Sequence, residues 1–247
     1  MDCDKSFDIG NKLKTIAIIQ ARYKSTRLQG KILLNLDGNT VLGNVIRRLQ
    51  KCKEIDGIIV ATSTEPEDSL VVQEATKNGA LYFCGSQNDV LDRYYRCAKF
   101  FGAERVVRIT ADCPYIMPDV VDRLLQESYK NGVQCEYGSN VKKRTYPKGF
   151  DCEVFSFDEL ERTARFADLE EDREHVTPFM RRSCVNFSLE DNEDYSHKRI
   201  TLDTWQDYQD LQSYPLGNVY NYEECKKLLN QCISTEERNI AMELGHI

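Results

Sequence analysis

The chain has 247 residues, which at about 150 residues per domain allows one large domain or a domain with an appendage. Hydrophobic residues make up 41% and charged residues 30%, a mixture that supports a sizeable core and excludes a globally disordered chain. The formal net charge of -7 opposes electrostatic attachment to nucleic acid or to an anionic membrane. The most apolar stretches are only strand-length, so we expect a soluble protein that does not bind membranes.

The beginning of the chain and its cysteines indicate the compartment. Residues 1–14 mix acids and lysines without an apolar segment, so we interpret them as a loose leader and not as a secretory signal. The 10 cysteines are scattered and form no C-x-x-C pair, which favours reduced, mostly buried thiols over a disulfide framework. The 3 histidines are too dispersed for a zinc site. These features predict a cytoplasmic protein.

The first part of the chain alternates β-branched runs with helical patterns, which is typical of a parallel sheet covered by helices. In chain order, the predicted elements are a strand at Thr15–Gln20, a helix at Val41–Cys52, a strand at Gly57–Ala61, a helix at Asp68–Asn78, a strand at Leu81–Phe83, a helix at Asp89–Phe101, a strand at Arg105–Thr110 and a helix from Pro118 to about Asn131.

After about Asn140 the regular alternation of strands and helices ends, and the sheet is expected to be extended or capped. The predicted elements here are a strand at Cys152–Phe155, helices at Phe157–Ala167 and Arg173–Arg182, strands at Cys184–Leu189 and Arg199–Leu202, and helices beginning near Thr204, Tyr222 and Thr235. The predicted class is therefore α/β, with a Rossmann-like, mostly parallel sheet and helices on both faces. We expect residues 15–247 to form a single domain with a helical C-terminal flank.

A basic loop follows the first predicted strand and carries four cations within ten residues, Arg22, Lys24, Arg27 and Lys31. In an open α/β sheet, ligands bind outside the carboxyl ends of the strands, so this loop predicts a phosphate-binding site. It contains neither a Walker A sequence nor G-x-G-x-x-G, which disfavours kinases and dehydrogenases. The alternative is an ordinary solvated loop, which we consider less consistent with an acidic protein.

Two aspartates are candidates for a metal site. Asp112 follows the fourth predicted strand and would face the same crevice if that strand neighbours the first. Mg²⁺ prefers one or two carboxylates together with phosphate oxygens, and Asp203, after the strand predicted at Arg199–Leu202, is the candidate second ligand. Taken singly, each aspartate is also typical of a helix cap or a turn.

A set of motifs in fixed order carries a family resemblance. These are IIQARYKSTRLQGKIL, RITADCP, GFDCEVF, REHVTP and RITLDTWQDY. Together they resemble the cytidylyltransferases that make CMP-activated acidic sugars, the acylneuraminate and 3-deoxy-manno-octulosonate enzymes, and most of all the branch of spore-coat polysaccharide protein F. The resemblance extends from Thr15 to about Leu211.

This resemblance implies a nucleotide-diphospho-sugar transferase (GT-A-like) fold, CTP and Mg²⁺ as cosubstrates, and a homodimer. By motif, Arg22, Arg27 and Lys31 match the family's triphosphate-binding positions, and Asp112 and Asp203 match its metal-binding acids. The chain departs from the usual pattern in having Gln20 where those enzymes have proline in I-P-A-R, and Ala111 where they have glycine in G-D-x-P. The departures affect the assignment of the sugar more than that of the nucleotide.

Two sets of residues complete the predicted site. The predicted catalytic residues are Arg22, Arg27, Lys31 and Asp112, and the predicted nucleotide-binding residues are Ala21, Arg22, Lys24, Ser25, Arg27, Lys31 and Thr62. Thr62 enters because it follows the second predicted strand, where a hydroxyl could accept a hydrogen bond from the amine of cytosine.

An acidic sugar would need a separate set of side chains. Arg173 could pair with its carboxylate, and His175 could hydrogen-bond or deprotonate its hydroxyl. The predicted sugar-binding residues are Arg173, Glu174, His175, Asp89 and Arg93. Equally, the first three are consistent with a charged first turn of a helix, and Asp89 with a helix cap.

The sequence thus favours a cytidylyltransferase that transfers CMP from CTP to a sugar hydroxyl and releases pyrophosphate, supplying an activated sugar for polysaccharide or glycan synthesis. Two alternatives stay open. A glycosyltransferase could share the fold but would not need a basic loop of triphosphate size. A non-catalytic nucleotide-binding protein could keep the fold without turnover.

Overall fold

The computed structural model describes residues 13–130 and 136–232. The predicted leader, except for its last two residues, and the helix predicted from Thr235 lie outside these ranges. The strands within these ranges are β1 (Thr15–Gln20), β2 (Asn35–Leu36), β3 (Asn39–Thr40), β4 (Gly57–Ser63), β5 (Leu81–Gly85), β6 (Arg105–Thr110), β7 (Tyr137–Ser139), β8 (Glu153–Ser156) and β9 (Asn186–Ser188).

Seven strands form one sheet in the order β5-β4-β1-β6-β8-β7-β9, and β2 and β3 pair as a separate hairpin. The pairs β5/β4, β4/β1, β1/β6 and β7/β9 are parallel, whereas β8 is antiparallel to both of its neighbours. The predicted mostly parallel sheet is therefore confirmed. The unpredicted strand β7 joins β8 to β9.

Helices cover both faces of this sheet. They are α1 (Val41–Leu49), α2 (Ser69–Lys77), α3 (Val90–Phe101), α4 (Pro118–Lys130), α5 (Phe157–Phe166), α6 (Glu170–His175), α7 (Pro178–Ser183), α8 (Trp205–Ser213) and α9 (Tyr222–Leu229). Side chains of α3, α5 and α7 pack with Ile16 and Ile18 of β1, whereas those of α1, α2, α4, α8 and α9 pack with Ala17 and Ile19. This division follows from the period of two along a strand.

The order of the strands determines where a ligand crevice can form. β1 lies between β4 and β6, with Gln20 beside both Ala61 and Thr110 at the carboxyl ends. The chain continues from β1 to β4 at one side of this strand pair and from β6 to β7 at the other, so the strand order reverses between β1 and β6. Such a switch point is where open α/β sheets bind ligands. The prediction that the fourth predicted strand neighbours the first is confirmed.

Two predicted elements are wrong. The helix predicted over Arg173–Arg182 is broken into α6 and α7, because Val176 adopts φ 70° and Pro178, which lacks an N–H, begins a new helix. The strand predicted at Arg199–Leu202 makes only one isolated bridge, from Arg199 to Lys148. Within the described residues, no helix is long and apolar enough to cross a membrane.

Candidate active site

A cleft of about 810 Å³ lies at the carboxyl ends of β1 and β6. Six of the seven predicted nucleotide-binding residues line it, namely Ala21, Arg22, Lys24, Ser25, Arg27 and Lys31. The predicted metal ligands Asp112 and Asp203 and the predicted sugar-binding residues Glu174 and His175 line it as well. The fold thus brings residues from four distant stretches of the sequence to one cleft.

The basic loop is held at both of its ends. Its first part is anchored by the buried carboxylate of Asp68, whose Oδ1 accepts from the Tyr23 backbone N–H at 2.6 Å and whose Oδ2 accepts from the Ser63 N–H at 3.0 Å. Its last turn needs Gly30, which has φ 67° and packs against the Tyr23 ring. The loop is therefore preorganised by its own sequence and by Asp68.

The cations of the loop have different partners. Lys24 is exposed and lies 3.2 Å from Glu65 and 3.5 Å from Glu67. Arg22 donates to the Gln87 carbonyl at 3.3 Å. Arg27 reaches across the cleft to Asp203 at 2.7 Å. All three contacts involve partly or fully exposed groups, so an anion can compete for these cations at small energetic cost.

Asp112 and Asp203 converge on the ammonium group of Lys31. The Nζ atom of Lys31 lies 2.8 Å from Asp203 Oδ1 and 3.4 Å from Asp112 Oδ2, and it donates to the Leu202 carbonyl at 2.6 Å. A backbone hydrogen bond of 2.9 Å from the Leu202 N–H to the Asp112 carbonyl keeps the two chain segments together. The two carboxylates thus face one point that already holds a cation.

This donor set fits a divalent cation. Two carboxylate oxygens and one backbone carbonyl oxygen are the ligand types that Mg²⁺ and related ions prefer. Burial alone would raise the pKa of Asp203, but hydrogen bonds from Lys31 and Arg199 lower it below its ordinary value. The carboxylate is therefore ionised at neutral pH, as a metal ligand must be.

Four predicted residues lie outside this cleft. Thr62 is completely buried because β4 continues to Ser63, two residues beyond the predicted end of that strand. Arg93 is also completely buried, and its NH1 atom donates to the Ser86 carbonyl at 2.8 Å. Neither side chain is exposed to the cleft in this structure.

Arg173 and Asp89 contact each other. Two nitrogens of the Arg173 guanidinium, Nε and NH2, donate to Asp89 Oδ2, and the distance from Nε is 3.0 Å. The third, NH1, donates to the Ala164 carbonyl at 2.9 Å. Asp89 also caps α3 by accepting from the Asp92 N–H at 2.8 Å. The Arg173 side chain is thus occupied by protein partners, while its neighbour His175 faces the cleft.

The position of His175 depends on a strained residue. Val176 is β-branched and has φ 70°, a conformation that such residues rarely adopt. It ends α6 directly after His175, and the Thr177 N–H donates to the His175 carbonyl at 2.8 Å. Strain of this kind is concentrated at functional sites, where the surrounding structure enforces it.

Sequence reasoning missed the residues that support the site. Asp68 was interpreted as a helix start, whereas its side chain anchors the basic loop. Arg199, taken as part of a strand, donates to Asp203 Oδ2 at 2.7 Å. The spacing of Arg199 and Asp203 by four residues is the one signal that could have indicated their pairing, and no local pattern links Asp68 to Tyr23.

Comparison with known proteins identifies the family. A family model described as "Cytidylyltransferase" matches residues 16–243. The spore coat polysaccharide biosynthesis protein SpsF of Bacillus subtilis is 31% identical over 206 residues, which covers 79% of this chain and 84% of that protein.

Solved structures agree with this result. A cytidylyltransferase from Leptospira borgpetersenii serovar Hardjo-bovis is 33% identical, with a TM-score of 0.84 over 89% of this chain and 94% of that one. A CMP:2-keto-3-deoxy-manno-octonic acid synthetase in complex with CTP shares the fold, at 18% identity and a TM-score of 0.64, over 81% of this chain and 97% of the other. The chain belongs to the cytidylyltransferase family and is a CTP-dependent nucleotidyltransferase.

Proposed function

We propose that this enzyme transfers CMP from CTP to a hydroxyl group of an acidic sugar, with Mg²⁺ as the metal. The observation that carries the proposal is the convergence of Asp112 and Asp203 on Lys31, one of the four basic residues of the loop. Binding a triphosphate requires several cations and a metal ion. This cleft offers basic side chains for the phosphates and two carboxylates for the metal. Neither a glycosyltransferase nor a non-catalytic binding protein needs this combination, and membership of the family disfavours both.

The residues of the cleft have different proposed roles. In this proposal, Arg22, Arg27 and Lys31 donate to the phosphate oxygens and stabilise the charge that develops on the leaving group. Asp112 and Asp203 would hold Mg²⁺, which when bound neutralises charge on the phosphates. His175 is positioned to hydrogen-bond the attacking hydroxyl or to take its proton.

The bond changes are those of an in-line displacement. The sugar hydroxyl oxygen forms a bond to the α-phosphorus, and the bond from that phosphorus to the bridging oxygen of pyrophosphate breaks. The hydroxyl proton leaves to His175 or to solvent. Because all the covalent chemistry resides in the substrates, positioning and electrostatics supply the catalysis.

The relatives support the proposed partners. A relative named for spore coat polysaccharide biosynthesis supports a role in supplying an activated sugar, and a structural neighbour named as a synthetase of a CMP-linked keto-deoxy acid supports an acidic acceptor. We extend the proposal to a homodimer in solution, which sedimentation of the purified protein can test.

The experiment is an assay of pyrophosphate release. The purified protein is incubated with each of the four common nucleoside triphosphates, Mg²⁺ and a panel of 3-deoxy-2-ulosonic acids, sialic-type acids and their neutral analogues. We expect release with CTP and at least one acid, and none without Mg²⁺. Release that is equally fast with UTP, or that occurs only with neutral sugars, contradicts the proposal.

A further inference from the structure

A second cavity of about 190 Å³ adjoins the cleft and contains three arginines. We call it the arginine pocket and define it by Arg108, Arg144, Arg181, Asp151 and Glu153, with Thr110 and Val141 completing its wall. The residues come from β6, from the segment between β7 and β8, from β8 itself and from α7. The pocket therefore lies on the face of the sheet that α3, α5 and α7 cover.

One carboxylate in this pocket serves two guanidinium groups. Glu153 is buried, and it accepts from Arg108 NH1 at 2.5 Å and from Arg181 NH2 at 2.6 Å. It also accepts from the hydroxyls of Tyr137 and Thr177, at 2.5 and 2.9 Å. With four donors, its hydrogen-bonding capacity is filled.

The other carboxylate is already matched. Asp151 accepts a two-point interaction from Arg144, at 2.6 and 2.8 Å. Three guanidinium groups therefore face two carboxylates, and one positive charge in the pocket is not compensated by its lining. The arginines that share Glu153 are only partly exposed to water, and an anion stabilises such a charge, so the pocket is suited to an anionic group of a ligand.

The pocket is within reach of the reacting groups. Thr110 lines both the pocket and the cleft, and Asp112 lies two residues further along the chain. Two residues span at most about 7 Å, which is comparable to the length of one sugar ring. Arg108 also approaches Gln20 Oε1, a cleft residue, at 3.4 Å. A single acceptor molecule can thus touch both sites.

We infer that the arginine pocket binds the anionic group of the acceptor sugar, a carboxylate or a phosphate, through Arg108 and Arg181. The inference rests on the proposed function and names the part of the protein that selects an acidic acceptor. It replaces the role predicted for Arg173, whose charge is balanced one to one by Asp89, whereas Arg108 and Arg181 share the single charge of Glu153. A neutral sugar leaves the extra charge of the pocket unpaired, so it binds weakly.

The test compares two neighbouring arginines on α7. Arg181→Gln removes a guanidinium of the pocket, whereas Arg182→Gln removes one that pairs with the buried Asp172 at 2.7 Å outside the pocket. Each substitution removes an arginine that pairs with a buried carboxylate. Both should therefore lower stability, which thermal unfolding measures. We expect Arg181→Gln alone to raise KM for the acidic acceptor at least tenfold, with KM for CTP unchanged, and Arg181→Lys to recover part of the loss.

Calorimetry with 3-deoxy-manno-octulosonate and its neutral 1-amide separates this inference from the proposed function. If the wild-type enzyme binds the acid but not the amide, and Arg181→Gln loses that binding, the pocket is supported even without turnover. If pyrophosphate release from CTP proceeds but Arg181→Gln and Arg182→Gln behave alike, the inference is overturned while CMP transfer stands. Parallel titrations with a phosphorylated sugar distinguish a phosphate site from a carboxylate site.

Discussion

The cleft and the arginine pocket both place cations against carboxylates, but they are built differently. The cations of the cleft come from one continuous loop, and Arg27 has 60% of its side chain exposed. Two of the three arginines of the pocket, Arg108 of β6 and Arg181 of α7, meet at Glu153, of which only 3% is exposed. Exposed pairs contribute little to folding, whereas a buried charge network is costly to break. Substitution of an exposed cation in the cleft should therefore change activity without changing stability, whereas a substitution in the pocket should change both.

The largest effect is expected from the two acids of the cleft. Asp112→Asn and Asp203→Asn preserve size but remove the charge that we assign to metal binding. We expect pyrophosphate release to fall by about 10²- to 10³-fold, as for the loss of a single electrostatic contact to a transition state. The measurement is the initial rate at saturating CTP over a range of Mg²⁺ concentrations.

A surface carboxylate provides the control for these variants. Asp92 pairs with Arg96 at 2.7 Å on the exposed side of α3. Asp92→Asn should keep the wild-type rate. Near-normal turnover of either Asp112→Asn or Asp203→Asn at limiting Mg²⁺ would show that the two acids do not form a metal site.

The pocket should dominate the response to acid. Burial raises the pKa of Glu153, but Arg108 and Arg181 outweigh burial and lower it from 4.5 to about 2. As the pH falls below about 4.5, the unfolded chain takes up this proton before the folded one does, so stability present at neutral pH is lost on the way to pH 2. Between pH 6 and pH 3 the loss from this one group is about 2 kcal/mol.

Urea unfolding of the wild type and of Glu153→Gln at both pH values isolates this contribution. The variant should be less stable at pH 6, because Arg108 and the partly exposed Arg181 lose their common buried partner, and less sensitive to acid. Equal slopes of stability against pH for the two proteins would mean that Glu153 is not ionised within the pocket.

The loop cations should show the opposite behaviour. Arg27→Ala is expected to raise KM for CTP about tenfold, since a hydrogen bond to a charged group is worth about 1.5 kcal/mol or more. The free energy of unfolding should change by less than 1 kcal/mol, because the Arg27–Asp203 pair is exposed on the arginine side. Arg96→Ala, on the exposed side of α3, is the matched control for loss of a surface arginine.

Lys31 differs from Arg27 in its burial, although both cations belong to the same loop. Only 12% of its side chain is exposed, and it bridges two carboxylates, so it is not the freely exposed cation that its place in a basic loop suggests. Lys31→Ala should lower stability more than Arg27→Ala does, because it leaves Asp112 and Asp203 facing each other. Similar unfolding curves for the two variants would contradict the geometry of this bridge.

The smallest effect is expected at Thr62. Its side chain has no exposed surface, so Thr62→Val should leave KM for CTP within about threefold of the wild-type value. A tenfold rise in KM for CTP, with no rise for UTP, would instead return Thr62 to the role in base selection that its sequence position suggested.

The comparison of the sequence predictions with the structure shows which features can be predicted from local patterns. The strands β1, β4 and β6 and the cations after β1 were predicted because period and charge are local features. The broken helix at Val176 and the inaccessible Thr62 were not, since each depends on one or two residues at an element boundary. The arginine pocket was also missed, because its residues meet only when β8 pairs antiparallel to β6, with Arg108 directly opposite Glu153.

The most direct test of the account is a crystal structure of the wild-type enzyme with CTP and Mg²⁺. It should show the triphosphate within hydrogen-bond distance of Arg22, Arg27 and Lys31, and one metal ion between Asp112 and Asp203, with Lys31 displaced from that position. A triphosphate bound away from this loop, or a metal ion that contacts neither aspartate, would contradict the central claim.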